Sequence, residues 1–513
     1  MEISYLLYFL LFLLSFPLAK HFIFKPRTLP LPPSPAFPLP ILGHLHLLRK
    51  PLHRTLATLS AKHGGGAALL RFGSRRVLHV SSPSLAEECF TKNDVAFANR
   101  PGLLAGKHLG YNFTTLVWAP YGHHWRNLRR VATIEILSST RIHMLQQIRV
   151  DETRATLRRL FEKSISGAAV VDMKSMFFEL TMNVMMRMIA GKRYYTGAAG
   201  GEEELEEAKM FKEIVEETME LSGATNVGDF VPFLRWVGLN KGEKRLAALQ
   251  GKRDGFMQKL IEERRRSVTA ARGVYGEGGH KTMTDVLLGL QETEPKYYTD
   301  YIIRGLMLVM LSAGTDTSAA TMEWALSLLL NNPQTIVNAK LEIDTIIDHT
   351  KFLEESDLPK LPYLSGIVKE TLRMCPVAPL LVPHESSEEC AVGGFRVPRG
   401  TMLLVNAWAM HNDATLWEDP EKFKPERFLR DEDGRQFSWM PFGAGRRRCP
   451  GESLAMKVVG FVLGSLIQCF EWERDGEEMV DMSEANGLTM PKLLPLRAKC
   501  RPNPDMIHLL SQL

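Results

Sequence analysis

The stretch IIRGLMLVMLSAGTDTSAATMEWALSLLL, from Ile302 to Leu330, has the length and apolar character of a membrane span, yet it carries Arg304, Asp316 and Glu323. Each of those charges would be costly in hydrocarbon, and Asn331-Asn332-Pro333 supplies an ordinary helix stop. A helix that is apolar on nearly every side has to be surrounded by other elements. The fold therefore needs a large core with one long helix through its middle. A length of 513 residues, 45% of them hydrophobic, is enough chain to build one.

Helical periodicity covers 123–190, 205–265, 298–330, 333–348, 362–374 and 450–468, whereas strand signals cluster at 67–80 and 390–411. The expectation is a mainly α domain with a small β region. GAAGGEEELEEA (197–208) and RRRSVTAARGVYGEGGHK (264–281) read as surface loops between helices. HGGGAALLRFG (63–73) lacks the ending of a phosphate loop and reads as a turn entering a strand. No internal repeat and no second domain boundary follow His44.

Ile3 to Ala19 carries no charge and is just long enough for ~30 Å of hydrocarbon. Glu2 precedes it and Lys20, Lys25 and Arg27 follow, a pattern that favours an uncleaved anchor over a signal peptide and places the rest of the chain on the cytoplasmic side. Seven prolines between Pro26 and Pro40 stiffen the next segment. The expected division is an anchor over 1–24, a proline-rich hinge over 25–43 and one domain over 44–513. A formal charge of +5 gives no case for nucleic acid, and the six scattered cysteines form neither a disulfide framework nor a zinc pattern.

One cysteine stands apart. PFGAGRRRCPG, 441–451, places Cys449 behind three arginines, among glycines that let backbone N–H groups approach, and just before a helix opening near Glu452. Those are the ingredients of a low-pKa, metal-binding thiolate. On the long helix, Ala313-Gly314 leaves room beside the backbone for a small ligand, and a Thr317 hydroxyl can bond back along the helix. Asp316 beside it can relay protons. Glu370 and Arg373 stand one above the other on a helix face.

Phe442-x-x-Gly445-x-Arg447-x-Cys449-x-Gly451 matches without a gap the haem-binding signature of the cytochromes P450, and the chain resembles that family over essentially its whole length. The resemblance implies a triangular helical prism preceded by one transmembrane helix. It makes Cys449 the axial ligand of haem b iron and Asp316 and Thr317 the oxygen-activating pair of AGTDTS. Trp125 and Arg129 of WRNLR, Arg447 and His384 become propionate contacts. Glu370, Arg373 and Arg427 of PERF become a structural network beneath the haem loop. Arg126, Arg130, Arg446 and Arg448 would dock an acidic partner. His123 and His124 are left as ordinary surface or packing residues, since neighbours on a helix point about 100° apart.

The resemblance further implies O2 as co-substrate, electrons from NADPH through a reductase with cytochrome b5 as a further donor, and a single-pass endoplasmic reticulum location. The function expected is insertion of one oxygen atom into a hydrophobic substrate. FANRPGLLAGKHLGYNFTTLVWAPYGHHWRNLRR (97–130) and GLTMPK (487–492) look like the plant microsomal branch that oxidises flavonoids, isoflavones, lignans and related phenolics. Substrate-facing positions are implied near Leu103–Phe113, Met307–Ala313, Ala378–Val382 and Leu488–Thr489. Two rival readings are a hydroperoxide-rearranging haem-thiolate enzyme, which needs neither Thr317 nor a reductase, and a tethered haem or gas sensor, which needs no proton relay.

Overall fold

The computed structural model describes residues 29–35, 37–62, 66–195, 202–223, 226–235, 241–272, 281–429 and 437–513. The expected anchor and the start of the hinge lie outside these residues. The described part of the proline-rich segment is hydrogen-bonded to later strands: the Pro33 carbonyl accepts from Leu69 N–H (2.9 Å) and the Pro30 carbonyl from Arg396 N–H (2.8 Å).

The apolar run forms one helix, Asp300–Asn331, buried on nearly every turn. It starts after Thr299, with Asp300 ion-paired to Arg265, and stops where Pro333 begins the next helix, Pro333–Ile346. Helices Met173–Ala190, Lys241–Arg272, Pro362–Met374 and Glu452–Cys469 pack around it. Among the described residues, Glu452–Cys469 is the one helix long and apolar enough to cross a membrane, but most of it is buried within the protein. It is a core helix.

Among the described residues nine strands form three small sheets. β1 (Ala67–Phe72) pairs antiparallel with β2 (Arg75–Val80), Ala67 opposite Val80. In a second sheet β3 (Ala169–Asp172) pairs with β9 (Arg497–Pro502), which also pairs with β8 (Phe470–Arg474). β5 (Cys390–Val392) and β6 (Phe395–Val397) make a hairpin. The first sheet is completed by β7 (Met402–Val405), parallel to β2, and by β4 (His384–Glu385), with His384 opposite Leu403. This brings residues 384–385 beside 97–100, which later supply much of the site.

The periodicity over 123–190 conceals breaks. It divides into helices His123–Arg130, Ser139–Met144, Gln146–Ser164 and Met173–Ala190, with a π-helical turn over Val131–Ile136 and the strand β3. Three β-branched or small residues of β3 gain their partners from the far C-terminus, a pairing no local pattern announces. Both expected loops are also shorter than read. Helix Glu202–Gly223 begins inside the acidic run, and helix Lys241–Arg272 continues through the basic one. There Arg264 pairs with Asp285 and Arg265 with Asp300, so these basic residues sit on a helix and bind the acids of two neighbouring helices. At the other end, 407–411 is a short helix.

Candidate active site

Two glycines with positive φ shape the cysteine loop, Gly443 at 70° and Gly445 at 65°. A Cβ on Gly445 would lie 2.5 Å from an Asp94 carboxylate oxygen and 3.0 Å from the Phe90 carbonyl. The Cys449 N–H donates to the Phe442 carbonyl (2.9 Å), and the Gly451 N–H donates to Cys449 Sγ (3.3 Å). Gly451 also caps helix Glu452–Cys469, so the sulfur stands at a helix N-terminus.

The expected low pKa does not follow. Burial pushes the Cys449 thiol up, outweighing the Gly451 and Glu452 N–H groups and Arg129. Desolvating a thiolate costs more than those dipoles and that charge return; a metal ion, were this thiol to ligate one, would remove the proton outright. Cys449 keeps accessible surface even though burial governs its acidity.

A cluster of guanidinium groups surrounds this loop. Arg447 donates through Nε to the Ala98 carbonyl (2.7 Å), through Nη1 to Leu116 (3.3 Å) and through Nη2 to Ala119 (2.5 Å). It lies 4.4 Å from the centroid of the Trp125 ring, whose Nε1–H donates to the same Leu116 carbonyl (3.1 Å). Arg129, one turn beyond Trp125, donates to the Arg448 carbonyl (2.7 Å). Arg100, which no motif singled out, donates to the carbonyls of Val117 (3.0 Å), Val382 (2.8 Å) and Pro383 (2.8 Å).

Among the described residues none of these three arginines pairs with a carboxylate. Burial and then Arg129 pull Arg447 down to about 9, and burial and then Arg447 pull Arg100 well below its ordinary value. Three guanidinium groups balanced only by carbonyl dipoles suit an anion, and the two acid side arms of a haem carry that charge. The donor set fits the cofactor.

His384 sits differently from the others. Its Nδ1 bonds the Phe97 carbonyl (2.7 Å), and burial, followed by Arg100 and Arg447, pushes its pKa far down. A neutral ring donating from Nδ1 leaves Nε2 an acceptor, which does not match a carboxylate.

The Glu370–Arg373 pair has no solvent access on either side chain. Arg373 Nε and Nη2 donate to the two Glu370 oxygens at 2.8 Å each, and further N–H groups reach the His411 and Pro420 carbonyls, each at 2.7 Å. Arg427 Nε adds a 3.2 Å bond to Glu370, and Gly366 lets the Pro425 carbonyl approach to 2.7 Å from where a Cβ would be. His411 extends the set. Its Nε2 accepts the Met440 N–H (3.0 Å), and the Met440 carbonyl accepts the Gly443 N–H (3.0 Å). Burial holds the His411 pKa at about 3, so the ring stays neutral and able to accept. A continuous path thus runs from the ion network into the cysteine loop. His411 carries no local signal in the sequence, since its role depends on a residue 29 positions away.

On the central helix Ala313 is exposed and Gly314, Asp316 and Thr317 are half-buried, while nearly all flanking residues are buried. Thr317 Oγ1 donates to the Ala313 carbonyl (2.6 Å), and the helix continues unbroken through the turn. Burial raises Asp316 to about 6, against a lowering bond from the Thr489 hydroxyl (3.1 Å). Gly314 does not leave free space: a Cβ there would lie 2.5 Å from Met185 Cε. Of the four surface arginines, Arg446 pairs with Asp94 (3.0 Å) and Arg448 with Glu452 (2.7 Å), whereas Arg126 and Arg130 pair with no acid among the described residues.

A cysteine loop at a helix N-terminus, with a cationic cluster beside it that has no carboxylate partner among the described residues, suits a haem-binding class of enzyme. A sequence profile of the family described as Cytochrome P450 matches residues 32–496, and the chain belongs to that family, whose members of this kind are monooxygenases. It is 51% identical to Cytochrome P450 81Q32 of Catharanthus roseus, over 99% of each chain. It is 50% identical to an isoflavone 3'-hydroxylase of Medicago truncatula, over 97% of this chain and 98% of the relative. With a (+)-piperitol/(+)-sesamin synthase of Sesamum radiatum it shares 49% identity over 95% and 94%.

Arg373→Met should remove the bidentate partner of the fully buried Glu370 carboxylate and leave it Arg427 and the Lys424 N–H, at a cost of about 3–5 kcal/mol. The expected outcome is soluble protein lacking most of its haem and a lower unfolding midpoint. Wild-type haem content and melting would show that the network does not hold the loop.

Proposed function

We propose that this chain is a plant haem-thiolate monooxygenase that inserts one oxygen atom from O2 into a planar, hydrophobic phenolic substrate of the flavonoid, isoflavone or lignan type. The observation that carries the chemistry is the meeting of Cys449, on its glycine-shaped loop, with the unpaired guanidinium groups of Arg100, Arg129 and Arg447. Cys449 would ligate the iron. Arg129, Arg447 and Trp125 would face the propionates, with Arg100 completing the cationic field. Only as an imidazolium could His384 join them.

When bound, the haem supplies reduction and cleavage of O2, a property general to haem-thiolate enzymes rather than one read from this chain. The chain's own part is positioning and proton supply. Glu370, Arg373 and Arg427, through His411, hold the cysteine loop at one height. Asp316, with a pKa of about 6, is present in both protonation states near neutral pH and can take up and release a proton. The Thr317 hydroxyl, anchored on Ala313, is the neighbouring group through which that proton reaches the reacting oxygen. The exposed face at Ala313 gives a small ligand its place.

The substrate class rests on the apolar character of the positions near Leu103–Phe113, Met307–Ala313 and Ala378–Val382, and on relatives named for isoflavone hydroxylation. Electrons would come from NADPH through a separate flavin-containing reductase, with cytochrome b5 as a further donor, docking beside Arg126 and Arg130. Residues 1–24 would anchor the chain in the endoplasmic reticulum, 25–43 would act as the hinge and 44–513 as the catalytic domain on the cytoplasmic side.

Cys449→Ala should abolish haem incorporation. An unchanged haem content and carbon-monoxide difference spectrum would end the assignment of Cys449 as ligand. Thr317→Ala should keep its haem and divert electrons to peroxide, measured as product formed per NADPH; undiminished coupling would remove Thr317 from the proton path. Co-expressed with a plant reductase, the enzyme should give substrate-type binding spectra and NADPH-dependent oxygenated products with isoflavones or related phenolics. A panel giving neither would refute the substrate class.

A further inference from the structure

Thr489 lies in GLTMPK, where the family resemblance implies contact with substrate, but its hydroxyl is committed elsewhere. Oγ1 donates to Asp316 Oδ2 at 3.1 Å, joining positions 173 residues apart. The segment around it is pinned on both sides. The Met490 carbonyl accepts Trp324 Nε1–H of the central helix (2.8 Å), and the Met490 N–H donates to the Val377 carbonyl (2.8 Å). On the other side the C-terminus of helix Glu202–Gly223 abuts Leu488 so closely that a Cβ on Gly223 would lie 1.9 Å from the Leu488 nitrogen.

We propose that Thr489 is a positioning residue for the proton relay: its hydroxyl fixes the orientation of the Asp316 carboxyl and ties it to the 487–490 segment wedged between the central helix and helix Glu202–Gly223. The inference rests on the relay reading of Asp316 given above. A hydroxyl is suited to the task because it can donate to a carboxylate and accept from a carboxylic acid. The tie therefore survives the coming and going of the proton. The charged groups acting on the carboxyl come from two other elements, Lys174 of helix Met173–Ala190, which favours the ionised form, and Glu216 of helix Glu202–Gly223, which opposes it. Neither is hydrogen-bonded to Asp316, so among the described residues Thr489 is the side chain that orients it.

The test compares full-length holoenzyme carrying Thr489→Val, Thr489→Ser or Asp316→Asn with the wild type. The carboxylic-acid band in infrared difference spectra, identified by its loss in Asp316→Asn, is titrated with pH. Its midpoint should rise by about one pH unit in Thr489→Val, where a donor to the carboxylate is lost, and return in Thr489→Ser. Product per NADPH should fall about threefold in Thr489→Val and recover in Thr489→Ser, with haem content unchanged. Should the valine variant not load haem, Thr489→Ala carries the same comparison. An unmoved midpoint overturns the proposal, as does a moved midpoint with undiminished coupling. If the relay reading is at fault instead, Asp316→Asn itself keeps wild-type coupling while the midpoint still answers to Thr489.

Discussion

A carboxylate sealed from solvent decides where the cysteine can be. Two guanidinium groups and the Lys424 N–H satisfy the oxygens of Glu370. Those guanidiniums in turn consume the carbonyls of His411, Asp419 and Pro420. None of these groups can shift without uncovering a buried charge, a penalty of several kcal/mol. Through His411 and Met440 that stiffness is passed to Gly443, and so to the turn carrying Cys449.

Desolvation runs through the rest of the site. It raises Cys449 and Asp316, lowers His384 and His411, and pulls on Arg100 and Arg447. In every case burial opposes the charged form. Among the described residues the protein holds three guanidinium groups without a carboxylate among them, an imbalance that suits an anionic group. Asp316 shows the converse use, where burial and one hydroxyl bond leave a carboxyl poised near neutrality.

Much of this was legible before any coordinates. The Phe442–Gly451 signature, the AGTDTS turn and the pairing of Glu370 with Arg373 are local patterns, because each depends on residues within one loop or one or two helical turns. The long apolar helix was legible for the same reason. β3 was not, since its partner is more than 300 residues away, and neither was the continuation of helix Lys241–Arg272 through a run that composition alone reads as solvated loop. Arg100 and His411 escaped notice because single residues bonded to distant carbonyls leave no spacing to recognise.

The amino-acid sequence by itself determined the class of chemistry, for the thiol, the hydroxyl–acid pair and the ion network are written as short motifs whose geometry a helix or a turn enforces. Only the tertiary structure decided their surroundings and alignment: that burial raises the Cys449 thiol, that Gly314 packs against Met185, that Arg447 and Arg100 have no acid partner among the described residues, and that Asp316 accepts from the Thr489 hydroxyl. Solvation and packing are properties of the assembled interior, where the field at any atom is set by groups brought in from the whole length of the chain.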